Sequence, residues 1–142
     1  MNSAVIVAGG SSSRLQSEVP KQFLKIDNKE ILSFSVNTFL NHPTIDEVII
    51  VCHIDWLDHV KKNYSSCIVV KGGKTRQISS NNGVYACDEC AENILIHDAA
   101  RPFISSKLIT QCILQLQTYK ACAPILDSNN SLISIQQQKA SY

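Results

Sequence analysis

The chain has 142 residues, of which 44% are hydrophobic and 18% charged, and its formal net charge is +1. This is the balance of one soluble globular domain. It excludes capture of nucleic acid or an anionic membrane by overall charge, so an anionic ligand would need a local cluster.

In chain order, five short runs rich in Val and Ile read as strands: 3–8 (SAVIVA), 47–52 (EVIIVC), 67–70 (CIVV), 93–97 (NILIH) and 121–126 (ACAPIL). They are almost continuously apolar, which is the pattern of parallel strands covered on both faces. Between them lie helical patterns. Residues 31–41 place Leu32, Val36, Phe39 and Leu40 at helical spacing, and 105–119 open on a serine cap and carry Ile109, Cys112, Ile113 and Leu116 at i, i+3, i+4 and i+7. Residues 55–64 and 75–91 read as weaker helices, the second interrupted by Asn81, Asn82 and Gly83. Strict alternation of strand and helix predicts right-handed crossovers and a doubly wound α/β sheet, with ligands outside the carboxyl ends of the strands. The tail SLISIQQQKASY starts as one more strand with nothing to close it, so the fold is expected to be C-terminally incomplete.

No apolar stretch approaches the ~18 residues of a membrane span. Met1 leads directly into an apolar run, with no basic segment before it and no small-residue cleavage site after it. A cytoplasmic location follows, and with it reduced thiols. Of the six cysteines, Cys52, Cys67, Cys112 and Cys122 sit in apolar runs, where a thiol acts as a small hydrophobe. Only Cys87 and Cys90 (CDEC) have redox or zinc spacing, and no second ligand pair accompanies them. His97 reads as a packed strand-end residue, while His42, His53 and His59 have no partner pattern.

The residues that could carry chemistry follow the strands. After the first come Gly9 and Gly10, then Ser11, Ser12 and Ser13, then Arg14, and later Pro20 and Lys21. The glycines admit backbone angles closed to other residues and let amides approach a ligand, while the hydroxyls and two cations complete an anion nest. The loop matches neither the P-loop, which needs lysine followed by Ser or Thr, nor the three-glycine dinucleotide fingerprint. After the third strand, Gly72 and Gly73 repeat the glycine turn, with Arg76 and Ser79 on one helical face, where they could read a base edge or steady a phosphate. After the fourth, HDAARPF sets Asp98 where a magnesium carboxylate would stand, with Arg101 buttressing the loop. No serine–histidine–acid or cysteine–histidine arrangement can be assembled. Catalysis would rest on positioning and charge neutralisation.

Together and in order, AGGSSSR with PKQFL, then GGKTRQIS, HDAARPF and PILDS resemble the family of 2-C-methyl-D-erythritol 4-phosphate cytidylyltransferases across residues 3–128. The resemblance implies a Rossmann-like nucleotidyltransferase, a mostly parallel sheet with helices on both faces, that uses Mg²⁺ to join CTP and a sugar-alcohol phosphate with release of pyrophosphate. Ala8, Gly9, Gly10, Ser11, Ser12 and Ser13 would wrap the triphosphate, and Arg14 and Lys21 would stabilise transition-state charge. Gly73, Arg76, Ser79 and Ala99 would bind the nucleotide, and Asp98 would hold the metal. Asp127 and Ser128 would face the acceptor, Ser128 standing where the family usually has threonine. The family also implies a homodimer in which an arm crosses into the second subunit. Counterparts of that arm and of a later acid–lysine pair are missing here, and residues 129–142 would begin the arm. Within the same chemistry, the AGG start and the tryptophan of IVCHIDWLDHV resemble ribitol-5-phosphate cytidylyltransferases, whereas HDAARP resembles the isoprenoid branch. A nucleotide-binding remnant without turnover is the alternative from another class.

Overall fold

The computed structural model describes residues 1–10, 19–127, 134–136 and 139–141. In chain order the elements are β1 (Asn2–Ala8), a 3-10 turn (Lys21–Phe23), β2 (Lys25–Ile26), β3 (Lys29–Glu30), α1 (Ile31–Leu40) and β4 (Glu47–Cys52). A second 3-10 turn (Ile54–Trp56) leads into α2 (Leu57–Asn63), followed by β5 (Ile68–Lys71), α3 (Arg76–Val84), β6 (Asn93–Asp98), α4 (Ser106–Leu116), β7 (Ser134–Gln136) and β8 (Lys139–Ser141).

Four parallel strands make the central sheet in the order β5-β4-β1-β6. Side chains alternate along β1 between two cores. Ala4, Ile6 and Ala8 join Val48, Ile50 and Cys52 against Leu32, Val36 and Phe39 of α1, Val60 of α2 and Ile109 of α4. Val5 clusters with Ile49 and Val51 on the other face, against which Gly83 of α3 lies. Burial on both sides is the physical reason these runs are continuously apolar rather than alternating.

The path runs outward from β1 through β4 to β5, then crosses back to place β6 on the far side of β1. Adjacent crossovers of opposite direction open a crevice at the carboxyl ends of β1 and β6. The register pairs Val7 with Asp98, so Asp98 stands level with the end of β1.

Several expectations are corrected. Residues 121–126 form no regular structure and are exposed throughout, Ile125 at 86% and Leu126 at 96%. An apolar run becomes a strand only beside a partner edge, and the outer edge of β6 has no partner strand among the described residues. Asn81, Asn82 and Gly83 do not interrupt α3. A Cβ on Gly83 would press into Val5 and lie 2.8 Å from Val51, so its glycine permits close helix–sheet approach. The same helix ends at Val84, short of 91, and α4 ends at Leu116, short of 119. In the tail β7 and β8 pair antiparallel, where one strand was expected. A hairpin between β2 and β3 was not anticipated. Its two-residue loop holds Asp27 (φ 47°) and Asn28 (φ 61°), the left-handed pair of a type I′ turn, and that Asp–Asn dipeptide was its sequence signal.

Candidate functional site

A cleft of about 470 Å³ opens at the carboxyl ends of β1 and β6. Three separate turns and one side chain from elsewhere build it: Val7 to Gly10, Gly73 to Arg76 with Ser79, Asp98 to Arg101, and Gln22. Of the residues singled out above, Ala8, Gly9, Gly10, Gly73, Arg76, Ser79, Asp98 and Ala99 meet here. Lys21 is not among the lining residues, although its neighbour Gln22 is. Asp127 sits in the exposed 121–127 segment and does not line the cleft either. Ser11, Ser12, Ser13, Arg14 and Ser128 lie outside the described residues.

No described glycine has a positive φ, so left-handed backbone is not what Gly9 and Gly10 contribute. At Gly9 a side chain would meet only ordinary contact. A Cβ there would lie 3.4 Å from Ser79 Oγ, and one on Gly72 would lie 3.0 Å from the same oxygen. The turns after β1 and β5 thus converge on Ser79, which is 3% exposed. Its hydroxyl accepts from the Gly73 N–H at 3.0 Å and donates to the Thr75 carbonyl at 3.0 Å. This hydroxyl is committed to shaping the turn. Thr75 caps α3 by accepting from the Ile78 N–H at 3.1 Å, so the amide-rich end of the helix borders the cleft, where anions are favoured.

Electrostatics agree with that geometry. Lys74, Arg76 and Arg101 line the cleft against a single carboxylate, Asp98, leaving two positive charges in surplus. Arg76 Nε and Nη2 donate to Asp98 Oδ1 at 2.9 and 2.7 Å, and Arg101 Nε lies 3.2 Å from Oδ2 as an ion pair. The Arg76 side chain is 62% exposed, and pairs of this kind contribute about 0–1 kcal/mol. Arg76 can therefore exchange the carboxylate for a ligand phosphate at little cost. Among the described residues no cluster of three or more His, Cys, Asp or Glu could hold a metal. A magnesium ion suits Asp98 only when phosphate oxygens complete its shell, which is how this ion is usually held beside nucleotides.

Gln22 was not singled out from the sequence. It is 4% exposed, and its Nε2 donates to the carbonyls of Ala8 (2.6 Å) and Gly10 (3.0 Å). Next to it, Phe23 stacks on Trp56 with centroids 4.2 Å apart and planes 13° from parallel. His59 meets both rings edge-on and hydrogen-bonds Glu30 at 2.6 Å, and the Tyr64 hydroxyl donates to the other Glu30 oxygen at 2.7 Å. The segment that carries Lys21 is thereby clamped to the glycine turn on one side and to α2 on the other. A buried amide between a lysine and an aromatic residue was the only available sequence signal.

The histidines also have partners that their spacing did not reveal. Besides His59, buried His42 donates from Nε2 to the Ser106 carbonyl and accepts at Nδ1 from the Thr44 amide, joining the end of α1 to α4. His97 packs on the Phe39 ring, 5.4 Å between centroids, and donates from Nε2 to the Arg101 carbonyl at 3.0 Å. Burial lowers its pKa below the ordinary 6.5.

The family model for 2-C-methyl-D-erythritol 4-phosphate cytidylyltransferase matches residues 2–140. The chain belongs to that family. A 2-C-methyl-D-erythritol 4-phosphate cytidylyltransferase of Clostridium botulinum is 41% identical over 128 residues, covering 86% of this chain and 56% of the relative. A ribitol-5-phosphate cytidylyltransferase of Lacticaseibacillus paracasei is 30% identical over 148 residues, covering 98% of this chain and 63% of the relative. The crystal structure of 4-diphosphocytidyl-2C-methyl-D-erythritol synthase from Anaerococcus prevotii superposes with a TM-score of 0.83 at 28% identity, over 96% of this chain and 59% of its own. The chain thus spans little more than half the length of these cytidylyltransferase relatives.

Proposed function

We propose that the chain supplies the nucleotide-binding part of a cytoplasmic, Mg²⁺-dependent cytidylyltransferase that moves CMP from CTP to 2-C-methyl-D-erythritol 4-phosphate in non-mevalonate isoprenoid synthesis. The observation that carries this reading is the convergence of Ala8 to Gly10, Arg76 and Asp98 on one cation-rich cleft in a member of that family. An acceptor phosphate oxygen attacks the α-phosphorus of CTP, the bond to the bridging oxygen breaks, and pyrophosphate leaves. Backbone amides of the first turn hold the triphosphate. Arg14 and Lys21 offset the charge that builds as the bond breaks. Arg76 leaves Asp98 for the nucleotide, and Gly73, Ser79 and Ala99 shape its pocket. Asp98 would hold Mg²⁺, which when bound neutralises triphosphate charge. Asp127 and Ser128 serve the acceptor, and residues 1–142 act as a single unit whose last residues begin the arm of a homodimer.

Calorimetry with CTP and Mg²⁺, beside a pyrophosphate-release assay, tests this. CTP binds only with the metal present, and Arg76→Ala weakens binding at least tenfold. In a form that turns over, Arg14→Ala or Lys21→Ala lowers the rate by orders of magnitude with folding intact. A chain that does not bind CTP overturns the reading, while binding without pyrophosphate release marks a remnant. The Lacticaseibacillus relative, which matches 98% of the chain, supports ribitol 5-phosphate as a second acceptor. Faster transfer to ribitol 5-phosphate would select it.

A further inference from the structure

All six cysteines are free thiols. Burial pushes the Cys52 and Cys67 thiols up to about 11, which suppresses their thiolates. The spacing CDEC singles out Cys87 and Cys90, yet the Cys87 thiol donates to the Gly83 carbonyl at the end of α3, and Cys90 is exposed.

A different pair meets in space. Cys122 lies ten residues beyond Cys112, and its thiol turns back to donate to the Cys112 carbonyl at 3.5 Å. Cys112 is half-buried on α4, and Cys122 is exposed in the 121–127 segment. Both line a groove of about 290 Å³ between α4, the outer edge of β6 and that segment. One thiol is held by a helix. The other sits on backbone with no sheet or helix bonds, which can adjust to disulfide geometry without moving the core.

We propose that Cys112 and Cys122 form a reversible disulfide at the expense of a small disulfide such as oxidised glutathione, clasping the 121–127 segment onto α4. The exposed Cys122 thiolate attacks one glutathione sulfur, forming a mixed disulfide and expelling one glutathione thiolate. Cys112 then loses its proton and attacks the Cys122 sulfur, expelling the second glutathione. Two electrons pass from the protein sulfurs to the glutathione disulfide, and two protons from the protein thiols end on the two glutathiones. The second attack is intramolecular, so the mixed disulfide at Cys122 does not persist. The clasp fixes the stretch that leads into Asp127 and requires nothing from the cleft.

The test treats the native chain with oxidised glutathione, alkylates free thiols, digests with trypsin without reductant and weighs the peptides. Cleavage after Lys107, Lys120 and Lys139 leaves Cys112 in 108–120 and Cys122 in 121–139, while Cys87 and Cys90 share one peptide, because no Lys or Arg lies between them. The expected product is 108–120 joined to 121–139, short of two hydrogens and released by dithiothreitol. In Cys112→Ser, 121–139 keeps one glutathione. Recovery of the two peptides separately from the oxidised wild-type chain overturns the proposal, and so does cross-linking that needs urea.

Discussion

Replacing Gln22 by alanine removes both donors from the carbonyls of Ala8 and Gly10, now 2.6 and 3.0 Å away. Ala8 is 2% exposed, so its carbonyl is stranded, and a buried acceptor without a partner costs about 1–3 kcal/mol. The Gly10 carbonyl lies at the exposed end of the turn and can turn to water, forfeiting about 0.5–1.5 kcal/mol. The combined loss of about 1.5–4.5 kcal/mol corresponds to a fall of roughly 5–15 °C in Tm for a chain of this size. Gln22→Glu is a sharper perturbation of the same shape. Its second oxygen would face two carbonyl oxygens, so the fold favours the protonated acid and raises its pKa above the usual value of about 4.3. A raised folded-state pKa means stability is present at low pH and is lost as pH climbs above that unfolded value. Thermal melts by circular dichroism at pH 5 and pH 8 separate the two variants. Gln22→Ala melts low at both, whereas Gln22→Glu melts markedly higher at pH 5 than at pH 8. A Gln22→Ala protein with wild-type Tm, or a Gln22→Glu protein indifferent to pH, would refute the clamp.

Gly83→Ala places a methyl group against Val5 and Val51, and overpacking of this kind costs about 1–3 kcal/mol, more than alanine returns in helix propensity. Its urea midpoint falls, and an unchanged midpoint would mean that α3 can draw back from the sheet. Ser80 Oγ is buried without a hydrogen-bond partner among the described residues, so Ser80→Ala leaves stability equal or higher in the same urea titration. A loss above about 1 kcal/mol would reveal a bond that the structure does not show. Burial depresses the His97 pKa, so the neutral ring is favoured by the fold and stability declines as pH falls below 6.5. His97→Gln flattens the Tm profile between pH 7 and 5, and a profile as steep as wild type would exonerate this residue.

Much of the fold was legible because the signals are local. The runs at 3–8, 47–52 and 93–97 match β1, β4 and β6 within a residue at either end; in β1 and β4 burial on both faces leaves no polar position to blur the pattern, while β6, at the sheet edge, keeps its apolar run though only partly buried. The run at 121–126 carried the same signal and failed, because hydrophobicity proposes a strand and only a neighbouring edge accepts it. Gly83 misled in the opposite sense. In isolation it reads as a helix breaker, whereas against Val5 and Val51 it is the residue that lets the helix dock.

By itself the sequence determined where backbone turns after each strand and which residue types stand there, because apolar run length, period and turn chemistry act over a few neighbouring residues. Tertiary structure decided what meets. The crossover from β5 back to β6 brings Arg76 onto Asp98 across 22 positions, a buried amide reaches from Gln22 to Ala8 across 14, and Cys122 folds back on Cys112 across ten. Such pairings depend on strand order and the path of the intervening chain, which no window of sequence contains.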